Sequence, residues 1–169
     1  MKEILNSEQV IRTLKRITHE IIERNQDLSS IVLVGILRKG YPVAKVLQEN
    51  LKKFADIDVL CFPLDINNHR DDIKGEFLVS EKEIGNYYIE GKTVILVDDV
   101  LYTGRSVRAA MDALIDYGRP DKIQLAVLVD RGHRELPIRA DYIGKNIPTS
   151  REEKVIVDIN DFSVYIKES

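Results

Sequence analysis

Cysteine is almost absent from this chain. Cys61 is the only one in 169 residues, so no intrachain disulfide can form. One cysteine and three scattered histidines give no zinc-site spacing either. No run of 18 apolar residues occurs and no signal-peptide pattern opens the chain, so the expectation is a cytoplasmic protein with no membrane partner. Excess positive charge is missing too: the net charge is -3, so any nucleic-acid site must be a local patch. There are no internal repeats and no low-complexity segment. What is present, 44% apolar and 31% charged residues over 169, is the composition of one globular domain with a proper core.

The stretch VILVDDVLYTGRSVRAAMDAL, Val94 to Leu114, organises the rest. Val94, Ile95, Leu96 and Val97 read as a buried strand with Asp98 and Asp99 following it. A short turn, Tyr102-Thr103-Gly104-Arg105-Ser106, comes next. Val107, Ala110, Met111 and Leu114 then recur at helical spacing, and Gly118 and Pro120 stop the helix. Ligands of open α/β sheets bind at such strand-to-helix junctions. Thr103 and Ser106 supply hydroxyls, Gly104 permits close approach, and the first N–H groups of a helix favour an anion. The acidic pair suits polyol hydroxyls or a Mg²⁺ ion. Phosphate at one end and hydroxyls or Mg²⁺ at the other outline a ribose 5-phosphate.

Elsewhere the pattern is βαβ. Ser7 reads as the N-cap of a helix to about Asn25, with Val10, Leu14, Ile17 and Ile21 inward and Arg12, Lys15, Arg16 and His19 off that stripe. Ile31 to Gly35 is a strand. The loop Ile36-Leu37-Arg38-Lys39-Gly40 follows it, then a helix with Pro42 in its first turn, so Arg38 and Lys39 point cations at the strand ends. Ile57 to Phe62 is a third strand with Cys61 as a small core residue. Asp65 to Gly91 is a long polar loop around His69-Arg70-Asp71-Asp72, with Phe77–Val79 and Tyr87–Ile89 as the arms of a hairpin. Ile123 to Asp130 is an apolar run typical of a parallel strand. Arg131 to Arg151 carries five bases against two acids and is broken by prolines and glycines. Lys154–Ile159 and Ser163–Ile166 close the chain as a meander.

The thirteen residues Val94 to Ser106 (Val94, Ile95, Leu96, Val97, Asp98, Asp99, Val100, Leu101, Tyr102, Thr103, Gly104, Arg105, Ser106) closely resemble the PRPP-binding motif of the type I phosphoribosyltransferases. RITHEIIERN (Arg16 to Asn25), Arg70 to Asp72, GRPDKIQLAVLVDRGH and LVDRGHRELPIRADYIGKNIPTS (Leu128 to Ser150) extend the likeness over nearly the full length to one branch, the PyrR proteins. The resemblance implies an α/β type I phosphoribosyltransferase fold: a mostly parallel sheet flanked by helices, a flap at about 65–91, and a small hood at about 131–169 completed by the N-terminal segment. It implies uracil phosphoribosyltransferase activity with Mg²⁺, and regulation of pyrimidine operons by binding leader mRNA when UMP or UTP fills the same site. Asp98, Asp99 and Arg70 are then the catalytic residues. Mg²⁺ sits with PRPP near the acidic pair, with no direct protein metal site, and Arg38, Lys39 and Gly40 hold pyrophosphate. Arg12, Lys15, Arg16, His19, Arg139, Lys145 and Arg151 face RNA, and a homodimer or higher oligomer is implied.

Three positions depart from the family pattern. The pyrophosphate loop reads Gly35-Ile36-Leu37-Arg38-Lys39-Gly40 rather than G-I-K-T-R-G. Asn67-Asn68-His69 precedes Arg70 where an aromatic is usual, and Lys15 replaces a small hydroxyl residue. A receiver-like signalling domain shares the acid pair but has no place for T-G-R-S. A purine phosphoribosyltransferase does not match the hood sequence. A catalytically weak or inactive nucleotide-sensing RNA-binding regulator remains the alternative.

Overall fold

The computed structural model describes residues 1–67 and 88–168. Five strands form one parallel sheet: β2 (Ile31–Ile36), β3 (Leu60–Leu64), β4 (Thr93–Leu101), β5 (Lys122–Asp130) and β6 (Tyr142–Asn146), in the order β3-β2-β4-β5-β6. Among the described residues three helices, α1 (Ser7–Arg24), α2 (Gly40–Ala55) and α3 (Arg105–Ile115), flank it. The apolar runs split by strand period into two cores. Leu33, Ile95, Val97, Ala126 and Leu128 face α1 and α2; Val32, Val34, Val94, Leu96, Leu125 and Val127 face α3. A second, antiparallel sheet joins β1 (Lys2–Leu5), β8 (Ser163–Glu168) and β7 (Glu153–Asp158), in that order.

Several boundaries differ from those expected of the sequence. The α1 cap is Asn6, not Ser7: Asn6 Oδ1 accepts from Gln9 N at 2.9 Å and Gln9 Oε1 accepts from Asn6 N at 2.8 Å, a reciprocal box. β3 lies three residues later than Ile57, and its Pro63 is tolerated because β3 is an edge strand. β4 runs on through Asp98 and Asp99 to Leu101, because Asp98, Val100 and Leu101 still pair with Val127, Val129 and Asp130. β1 was not expected, and neither was β6, whose Gly144 lets the strand lie against Leu128. A Cβ there would come within 2.3 Å of the Leu128 carbonyl oxygen. Of the expected hairpin, Phe77–Val79 and Tyr87 lie outside the described residues; Tyr88 and Ile89 are in no strand, and Ile89 is buried.

Candidate active site

β4 delivers two carboxylates to the carboxyl end of the parallel sheet. Asp98 is buried and Asp99 partly so, and Asp98 Oδ1 accepts from Asp99 N at 2.8 Å. Past Leu101 the chain turns through Gly104, whose φ of 97° is left-handed, and enters α3. Gly104 caps the helix without a side chain and the first turn of α3 holds no acidic residue, so the start of this helix favours an anion. Thr103 Oγ1 accepts from Arg105 N at 3.2 Å and fixes the turn. A cleft of about 330 Å³ opens here, lined by Asp98, Val100 and Leu101, by the whole turn Tyr102–Ser106, by Val107 and by Glu135.

A second cavity, about 220 Å³, adjoins it and shares Asp98, Val100 and Ser106. Its other walls are Asp99, Ile66 and the loop Ile36, Leu37, Arg38 and Lys39, in which the Leu37–Arg38 peptide is cis. Gly40 brings α2 tight onto β4, since a Cβ there would lie 2.3 Å from the Val97 carbonyl oxygen. The sheet order β2-β4 thus sets the basic loop beside the acidic pair. Lys39, however, donates from Nζ to the Val157 carbonyl at 2.8 Å, so its charge is engaged with β7 rather than directed into the cavity. Arg70 lies outside the described residues.

Arg131 was not singled out from sequence, and it ties the turn to the second sheet. It is 6% exposed, and its guanidinium lies 3.9 Å from the Tyr102 ring centroid. Nε donates to Thr149 Oγ1 at 3.1 Å, and Nη2 donates to the carbonyls of Ser150, at 3.1 Å, and Glu153. His133 sets its ring edge-on to Tyr102 at 5.8 Å and contacts the Thr149 carbonyl. The backbone N–H groups of Glu135 and Leu136 donate to the Thr103 carbonyl, at 2.9 and 3.3 Å. The only sequence signal was an arginine next to the end of an apolar strand.

The residues assigned to an RNA face divide in two. Arg12, Lys15, Arg16 and His19 are all exposed along α1. Arg16 bridges Glu20 at 3.0 Å and donates to the carbonyls of Ile143 (3.2 Å) and Gly144 (2.6 Å), which brings exposed Lys145 of β6 beside this face. Arg139 is exposed on the loop before β6. Arg151 instead stands 3.8 Å from Glu135, which also holds Arg105 at 3.2 Å, and so belongs to the rim of the cleft at the start of α3.

Residues 1–167 match the family described as phosphoribosyl transferase domain. The bifunctional protein PyrR of Enterococcus faecalis is 57% identical over 164 residues, covering 95% of this chain and 90% of that protein. A pyrimidine operon regulatory protein of Lactococcus lactis is 51% identical over 160 residues, covering 95% and 91%. A solved hypoxanthine-guanine phosphoribosyltransferase of Bacillus anthracis superposes with a TM-score of 0.72 at 19% identity, covering 99% of this chain and 98% of that one, a likeness of fold.

Proposed function

The chain belongs to the bifunctional PyrR proteins within the phosphoribosyltransferase family, and on that premise we propose that it makes UMP and pyrophosphate from uracil and PRPP, and binds pyrimidine-operon leader RNA under control of UMP or UTP. The observation that carries the reading is the pair of adjoining cavities meeting at Asp98, one walled by the α3 N-terminus and the other by the Arg38 loop. The 5-phosphate takes the turn Thr103–Ser106, where the N–H groups and hydroxyls converge. Asp98 and Asp99 accept hydrogen bonds from the ribose hydroxyls. Arg38 faces pyrophosphate; Arg70, the other cation assigned to that ligand, lies outside the described residues. Uracil lies under the hood formed by residues 131–169 with the N-terminal segment. Its N1 bonds to C1 as the C1–O bond to pyrophosphate breaks, the N1 proton passes to water or to the departing pyrophosphate, and positioning and electrostatics carry the rate.

Among the described residues no three His, Cys, Asp or Glu side chains gather as a metal site. The Asp98–Asp99 pair still fits Mg²⁺ held mainly by PRPP oxygens and water, because that ion prefers hard oxygen ligands and keeps its waters. When bound, it neutralises charge on the departing pyrophosphate.

UMP formation with Mg²⁺ is the direct test, beside an Asp98→Asn, Asp99→Asn double variant. Native turnover and a loss of about a hundredfold or more in the variant are expected. One observation favours a second reading, a catalytically weak or inactive nucleotide-sensing RNA regulator: the Lys39 ammonium donates to the Val157 carbonyl and so is turned toward β7. Native protein that binds UMP but forms none from uracil and PRPP would establish that second reading and overturn the first.

A further inference from the structure

On the outer side of α1, near the end of α2, three side chains gather at one ring. The His19 imidazole lies 5.0 Å from the Phe54 ring, centroid to centroid, tilted by 46°. The Lys15 ammonium stands 5.2 Å from that ring's centroid and the Lys53 ammonium 5.4 Å. Lys15 and His19 are one turn apart on α1, whereas Lys53 and Phe54 close α2. The two lysines and His19 are exposed, and Phe54 is partly so. No described residue forms an ion pair with Lys15, Lys53 or His19, whereas their neighbours are engaged: Lys52 by Asp56 and Asp58, Arg16 by Glu20. Ile11, one turn before Lys15, is 58% exposed.

An aromatic ring with two ammonium groups beside it that form no ion pair with any described residue, and an exposed aliphatic along the same helix, matches unpaired nucleotides. Each base brings a π face for the ring, and each phosphate a charge for an ammonium. An acidic protein surface would satisfy the cations but leave Phe54 and Ile11 without a use, and the patch is too charged to enter a lipid interior.

We propose that Phe54, held between His19, Lys15 and Lys53 where α1 meets the end of α2, is a stacking platform for one unpaired base of the bound RNA, and that Lys53 adds a phosphate contact. The inference rests on the RNA-binding reading above. The base takes a face of the ring, and the lysine ammonium groups move from the ring to the flanking phosphates, an exchange favoured because an exposed cation–π contact is weak.

The test uses the full chain and a pyrimidine-operon leader hairpin carrying 2-aminopurine at single loop positions, with UMP present. In the native complex the fluorescence of one position is quenched by stacking. Phe54→Leu loses that quench at saturation and binds about tenfold more weakly, whereas Phe54→Tyr keeps both. Lys53→Gln keeps the quench and lowers the slope of log affinity against log salt by about one. Circular dichroism and melting temperature verify that each variant is folded. If the native chain binds the hairpin and Phe54→Leu matches it in affinity and quench, the proposal is overturned while the RNA reading stands. A native chain that does not bind the hairpin overturns both. Poly-glutamate bound by the native chain and lost in Phe54→Leu would assign the patch to an acidic protein and also overturn the proposal.

Discussion

Cys61 shows what burial does to one side chain. It sits on edge strand β3 opposite Leu33, packed against the core under α1 and α2 but not sealed in it. Burial pushes its thiol up from 9.0 to about 11, with the charge of Lys45 pulling weakly the other way. At pH 8 about one such thiol in a thousand is thiolate, so iodoacetamide should label native protein about a hundredfold more slowly than protein unfolded in guanidinium. Equal rates would contradict the burial. The sign of the stability effect follows, because the folded value is the higher one. The contribution is fully present below about pH 9 and is lost as the pH climbs towards 11.

At the level of the element, the start of α1 is decided by a spacing. Asn6 and Ser7 are both good caps, but only Asn6 has a Gln three residues on to close the reciprocal box. Asn6→Ala should destabilise by about 1 kcal/mol, lowering the melting temperature by about 2–4 °C. Ser7→Ala should leave it nearly unchanged, and the reverse ranking in thermal melts would restore Ser7 as the cap. β6 was harder to see. Its five residues follow a proline-broken basic stretch and include a glycine, and the pairing that makes it a strand is with β5, not with anything nearby in sequence. The apolar run marks β4 only as far as Val97, for a related reason. Acidic residues are poor strand formers in isolation, yet the ladder with β5 carries Asp98 as far as the cleft.

For the whole molecule the question is what holds the two sheets together. Apolar contact does part of it: Leu5, Val157 and Val164 join the core that α1 and α2 make over the main sheet. Polar ties add to it: Lys39 donates to the Val157 carbonyl of β7, and Arg131 stacks on Tyr102 of the turn before α3 while its N–H groups reach Thr149, Ser150 and Glu153 beside β7. Arg131→Met keeps much of the volume but leaves those acceptors unmatched, at a cost of about 1–3 kcal/mol. The melting temperature should fall by roughly 2–12 °C. An unchanged melting curve would mean that the cluster adds no net stability.

The sequence by itself determined the parallel αβ core, the acid pair, and the turn into α3. Each is written in a short stretch: an apolar run, a helical stripe, a glycine where the backbone must go left-handed. Only the tertiary structure decided that β1 pairs with β8 from the far end of the chain, and that Lys39, Arg16 and Arg131 are spent on the carbonyls of Val157, of Ile143 and Gly144, and of Ser150 and Glu153. A backbone carbonyl is the same acceptor at every residue, so no side-chain pattern announces which one a distant cation will find. The meeting of His19, Lys15, Lys53 and Phe54 is of the same kind, because it depends on how closely α1 lies against α2.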